Sequence, residues 1–214
     1  MAESFPIKFR IHAVTGTEIL ARPDFLELAR QVAATGLAAL NLRAHGFEGR
    51  QVFELARALR SLTVSAGVPL IVTDRLDVAL AVEADAVNLG ARSIPLQAAA
   101  LLCQERNIPF GFSCHSLGEA LEARDKGAAY IYLGTLFASR SKPGIAPSGV
   151  GLLKQVCDRV EIPVFGIGGI GCANAVQVAS AGAHGLAAIS AVWESEDIEG
   201  DLARLAAIFG GESS

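Results

Sequence analysis

The chain has 214 residues, 51% of them hydrophobic and only 6% aromatic. The length is near the roughly 200–250 residues of one α/β barrel. With so few aromatics, Ala, Leu, Val, Ile and Gly must do the packing, as strands buried on both faces require. The formal net charge is −4 with both signs interspersed. No basic run carries interleaved aromatics, which argues against a nucleic-acid partner. No stretch reaches the ~18 apolar residues of a membrane span. The polar start Met1-Ala2-Glu3-Ser4-Phe5 lacks a signal-peptide pattern. Cys103, Cys114, Cys157 and Cys172 are scattered without CxxC spacing. That disfavours zinc and a disulfide framework and fits a reducing cytoplasm.

Short apolar runs predict strands at 9–14, 38–42, 69–72, 86–89, 109–113, 130–134, 163–167 and 185–190. Stretches of helical period lie between them, at 25–34, 51–66, 96–106, 117–126 and 151–160. Val68-Pro69, Ile108-Pro109 and Ile162-Pro163 open the third, fifth and seventh strands. Proline is tolerated at a strand's first residue, where its missing N–H costs no ladder bond. The even strands instead follow Gly- and Ala-rich helix ends: Gly36, Ala84, Gly127-Ala128 and Gly182-Ala183. Eight such units predict a single parallel (β/α)8 TIM barrel, one domain over 1–214 with a short polar tail at 210–214. An open doubly wound sheet satisfies the same periodicity.

In a barrel of this kind, polar residues just after each strand converge at one mouth. After the seventh strand comes Gly166-Ile167-Gly168-Gly169-Ile170, then Asn174 opening a helix; after the eighth comes Ile189-Ser190-Ala191. Small residues let backbone N–H groups approach a ligand, which suits a phosphate. The same residues also suit tight turns that bind nothing. After the sixth strand, Ser139-Arg140-Ser141-Lys142-Pro143-Gly144 offers hydroxyls and two cations to a polyanion, or is a solvated loop. After the fifth, Ser113-Cys114-His115-Ser116 holds a histidine able to exchange a proton near neutral pH. Cys114 reads as a small buried hydrophobe sooner than a nucleophile. Asp74, after the third strand, is a candidate Mg2+ ligand, base or helix cap. His12 and His184 read as structural, and His45 stands beside Arg43 after the second strand.

Together these segments resemble the thiamine phosphate synthase/TenI superfamily over about residues 12–192. The matching stretches include Leu40-Asn41-Leu42-Arg43, Thr73-Asp74-Arg75, Asn88-Leu89-Gly90, Ser113-Cys114-His115-Ser116 and Gly166-Ile167-Gly168-Gly169-Ile170. The synthase branch joins a pyrimidine pyrophosphate to a thiazole phosphate: pyrophosphate leaves with Mg2+ and the thiazole nitrogen attacks the resulting carbocation. The resemblance implies that Gly168, Gly169, Ile189 and Ser190 hold the thiazole phosphate. It puts Ser139, Ser141, Lys142 and Arg43 on pyrophosphate and makes Asp74 a magnesium ligand.

Three departures bear on that assignment. The family's pyrophosphate lysine is His45, its Asn before the Asp-Arg pair is Thr73, and its second magnesium carboxylate is Ser93. Arg92 and Arg140 are the obvious compensators. The expectation is therefore a TenI-like isomerase of the thiazole tautomerase type. His115 moves the proton, Asp74 and Lys142 are the other candidate catalytic groups, and no cofactor is required. The alternatives are a divergent synthase using Mg2+ and a non-catalytic sensor of thiamine-pathway ligands. Expected partners are a phosphorylated thiazole or thiamine phosphate, with neither nucleic acid nor membrane, and a homo-oligomer is compatible with the family.

Overall fold

The computed structural model describes residues 5–140, 144 and 146–210. After a 3-10 turn at Phe5–Lys8, strands and helices alternate. The first half runs β1 (Ile11–Val14), α1 (Thr17–Leu20), α2 (Phe25–Ala34), β2 (Ala38–Leu42), α3 (Gly49–Ala66), β3 (Leu70–Thr73), α4 (Leu76–Ala81) and β4 (Ala86–Leu89). The second half runs α5 (Leu96–Glu105), β5 (Phe110–Cys114), α6 (Leu117–Asp125), β6 (Tyr130–Leu133), α7 (Gly149–Cys157), β7 (Val164–Ile167), α8 (Ala175–Ser180), β8 (Gly185–Ala188), α9 (Ser190–Trp193) and α10 (Ile198–Phe209). The strands pair in parallel and in sequence order, and β1 also pairs with β8. The sheet is therefore a closed (β/α)8 barrel, which excludes the open alternative.

All eight strands fall where the sequence places them, within two residues at either end. Ser190 is a correction: it leaves the strand and begins α9. Pro69, Pro109 and Pro163 each stand one residue before a strand. Their carbonyls accept from the N–H groups of Leu40, Val87 and Ile131 at 2.9, 3.1 and 2.9 Å. The prolines thus begin the ladder with an acceptor and forfeit no donor.

One set of alternate strand residues, including Leu40, Leu42, Leu70, Val72, Val87 and Leu89, faces outward into the helical layer. α3 meets it with Val52, Ala56, Leu59 and Thr63, a four-three-four spacing that keeps one helix face buried. The other set fills the barrel. His12 stacks on Phe165 with ring centroids 4.2 Å apart, and Tyr130 and Tyr132 pack edge-on against both. Room for these rings comes from the neighbouring strands: a Cβ on Gly111 would run into the Tyr130 ring, and one on Gly185 into Phe165 and the Arg10 carbonyl.

His12 and His184 are structural, as expected. His12 Nδ1 lies 2.5 Å from the Tyr132 hydroxyl, which also accepts from Asn41 Nδ2 at 3.0 Å. Thr73 Oγ1 donates in turn to Asn41 Oδ1 at 2.8 Å. His12 and the Tyr132 hydroxyl thus satisfy each other inside the barrel. His184 bonds Arg10, and its Nε2 lies 2.9 Å from the Ile7 carbonyl. No helix among the described residues is long and apolar enough to cross a membrane.

Candidate functional site

Four consecutive strands carry a polar residue at or next to their C-terminal end that turns into the barrel: Asn41 on β2, Thr73 on β3, Asn88 on β4 and Ser113 on β5. All lie toward the C-terminal ends of their strands. Above them opens a cavity of about 520 Å3, lined by residues from all the loops that follow the strands. Asn88 Nδ2 donates to Ser113 Oγ at 3.0 Å, and both residues line the cavity floor.

One side of the cavity is mostly backbone. Gly168 and Gly169 follow β7 with φ of 97° and 65°, in the left-handed region that favours glycine. Side chains are also barred by space: a Cβ on Gly168 would lie 2.6 Å from Thr135 Cγ2, and one on Gly169 would meet Phe137 and the Ala138 carbonyl. The β6 and β7 loops are laced together here, Leu136 N–H to the Ile167 carbonyl and Phe137 N–H to that of Gly168, both at 3.0 Å. Asn174 ties the far end of the turn, accepting from Gly171 N–H and donating to the Gly169 carbonyl, each at 2.9 Å. Ile189 and Ser190 face this turn across the cavity wall at the start of α9. Buried Trp193 anchors α9 by donating from Nε1 to the Val14 carbonyl at 2.8 Å. The structure thus brings Gly168, Gly169, Ile189 and Ser190 to one wall.

The opposite side carries charge. Arg43 follows β2, its backbone clasped by Thr15: Arg43 N–H donates to Thr15 Oγ1 at 2.8 Å, and that hydroxyl donates back to the Arg43 carbonyl at 3.1 Å. No described residue accepts from the Arg43 guanidinium. Burial, then the charge of Arg92, pushes its pKa down, and Asp74 only partly offsets them. Asp74 sits at φ 63°, a conformation aspartate tolerates. Its Oδ2 lies 2.9 Å from His45 Nε2, and its Oδ1 accepts from Ser93 Oγ at 2.5 Å. Arg92 reaches the other nitrogen of His45, with 3.0 Å to Nδ1. Gly90 N–H holds Ser93 Oγ at 3.0 Å.

Burial by itself would raise the Asp74 pKa. The hydrogen bonds from His45 and Ser93, with the positive charge of Arg43, outweigh burial and hold it below the usual 3.8. A carboxylate with a folded-state pKa below its unfolded one adds stability above the unfolded value, lost as pH falls through the folded one. Asp74→Asn should therefore flatten the fall of melting temperature below about pH 4. An acid-denaturation profile as steep as that of the original protein would refute this assignment.

Ser139 lines the cavity. Ser141 and Lys142 lie outside the described residues. Arg140 reaches away to an ion pair with Glu194 at the exposed rim, so it does not complete the charged corner. His115 also lines the cavity, with its side chain half exposed. Its backbone N–H donates to Glu119 Oε2 at 2.7 Å, and its Nδ1 lies 3.6 Å from the same oxygen. Cys114 is buried, and its thiol is pushed up to about 12 by burial and by Glu119 and Glu122, so it stays protonated.

Sequence reasoning named Arg92 and His45 without joining them. It quoted Asn88 and Ser113 within matching stretches but gave neither a role, though a polar side chain on an otherwise apolar strand was a signal for both. Mg2+ is usually bound through one or two carboxylates together with substrate phosphates, and here that carboxylate is already engaged. In this corner Asp74 is the lone carboxylate, each of its oxygens has a partner, and two guanidiniums stand close by. Among the described residues, no group of three His, Cys, Asp or Glu side chains could hold a metal ion.

Fold and site define a (β/α)8 barrel protein with its ligand cavity at the C-terminal mouth, one wall backbone and the other cationic. A sequence model described as thiamine monophosphate synthase matches residues 11–192. The chain belongs to that family. It is 41% identical over 197 residues to the thiamine-phosphate synthase of Moorella thermoacetica, covering 91% of this chain and 93% of that one. It is 38% identical over 203 residues to that of Chloroflexus aurantiacus, covering 94% and 93%. A solved structure of thiamine phosphate pyrophosphorylase from Pyrococcus furiosus superposes with a TM-score of 0.84 at 34% identity, covering 96% of this chain and 97% of that one.

Proposed function

We infer that the protein is a thiamine phosphate synthase, joining a pyrimidine pyrophosphate to a thiazole phosphate. The observation that carries this reading is the two-sided cavity. Main-chain donors at Gly168, Gly169 and Ser190 suit one phosphate, and Arg43 with its charged neighbours suits a second anion. The named relatives also favour the synthase alternative over the isomerase expected from the motifs.

In the proposed reaction the pyrimidine's C–O bond to pyrophosphate breaks, and the bonding pair leaves with pyrophosphate. The thiazole nitrogen then forms the new C–N bond. This chain's residues hold the leaving group through Arg43 and the thiazole phosphate through the β7 and β8 turns. The backbone wall orients the nucleophile toward the cation. The four cysteines are free thiols, in keeping with work in the cytoplasm.

The test supplies purified protein with hydroxymethylpyrimidine pyrophosphate and thiazole phosphate, with and without Mg2+, and measures thiamine phosphate. Product is expected. No product from a protein that still binds thiazole phosphate would overturn the reading. Turnover of the non-aromatic thiazole carboxylate phosphate, abolished by His115→Ala, would then establish the isomerase.

A further inference from the structure

The corner between the β2, β3 and β4 loops is a closed hydrogen-bonded circuit. A guanidinium has no lone pair to offer, so Arg92 donates and His45 Nδ1 accepts. The histidine proton then sits on Nε2, facing Asp74 Oδ2. Ser93 occupies the other carboxylate oxygen and is itself held by the Gly90 N–H. Every polar group of the circuit has a partner inside it, and the one carboxylate is tied by protein donors. The charges are Arg43 and Arg92 against Asp74, so one positive charge remains uncompensated at the cavity wall. Arg43, with no described acceptor on its guanidinium, faces that cavity. Such a corner attracts an anion and repels a divalent cation.

We propose that this circuit stands in for a metal site: Arg43 and Arg92 bind the pyrophosphate group directly, and binding does not require a protein-held divalent cation. The proposal rests on the synthase reading for the identity of the anion. A guanidinium pair suits it, because each planar fork can take two phosphate oxygens. Asp74 and His45 are positioning residues, since they hold Arg92 over the cavity and need not touch the ligand.

The test is isothermal titration calorimetry of inorganic pyrophosphate into the full chain, once in EDTA and once with excess Mg2+. Saturable binding in EDTA is expected, with an affinity that Mg2+ changes by less than about tenfold. Arg92→Ala should weaken binding in EDTA by tenfold or more. Ser93→Asp, which adds a second carboxylate, should weaken binding in EDTA and make it respond to Mg2+. Thermal melts of both variants check that they fold. Binding by the original protein only when Mg2+ is present would overturn the proposal and leave the synthase reading intact. No binding in either condition would overturn the proposal together with the assignment of pyrophosphate to this corner.

Discussion

Arg43→Met should cut thiamine phosphate formation by about ten- to a hundredfold while leaving the melting temperature unchanged or raised. A hydrogen bond to a charged group is worth roughly 1.5–3 kcal/mol, and about 1.4 kcal/mol is tenfold in rate. The guanidinium has no described acceptor, and burial and Arg92 both disfavour its charge. Removing it therefore relieves an unfavourable term, while methionine keeps an unbranched apolar stem of similar length. Steady-state kinetics and a thermal melt on the same preparation make the check. A drop in activity matched by a drop in stability would mean that Arg43 holds the loop and does not serve the ligand.

Gly111→Ala should strongly destabilise the barrel. The new Cβ would overlap the Tyr130 ring. That ring is fully buried and boxed in by His12, Tyr132 and Phe165, so it cannot swing aside. Overpacking of this kind costs about 1–3 kcal/mol and occasionally more. For a chain of this size that lowers the melting temperature by about 2–12 °C. Tyr130→Leu alone opens a cavity and also destabilises. In the double variant the two faults offset each other, so its loss should be smaller than the sum of the two. Additive losses in that cycle would mean that the backbone at Gly111, and not the ring, sets the requirement.

These two positions show how far the residues speak for themselves. Gly111 reads in the sequence only as a glycine in an apolar strand. Its meaning depends on Tyr130, which the register sets directly opposite on β6. Arg43 is legible earlier, because a polar residue just after a strand in a repeated strand–helix pattern has one place to go. The backbone turn at Gly168 and Gly169 is legible for the same reason. Arg92 and His45 are not: their contact spans 47 residues and exists only because the β2, β3 and β4 loops are neighbours around the rim. Arg140 carries the same charge on a loop of similar character, and only the fold shows it turned toward Glu194.

The sequence by itself determined the eight strands, their order and the proline-opened entrances, because side-chain periodicity and the missing proline N–H act within a few residues. It also determined which loops hold the polar residues of the mouth. Tertiary structure alone decided that β1 closes on β8, that glycines on β5 and β8 make room for rings on β6 and β7, and that Asp74 is bound by His45 and Ser93 in place of a second carboxylate. Those outcomes rest on distances between residues far apart in the chain, and no local pattern encodes them until the barrel brings the groups within bonding reach.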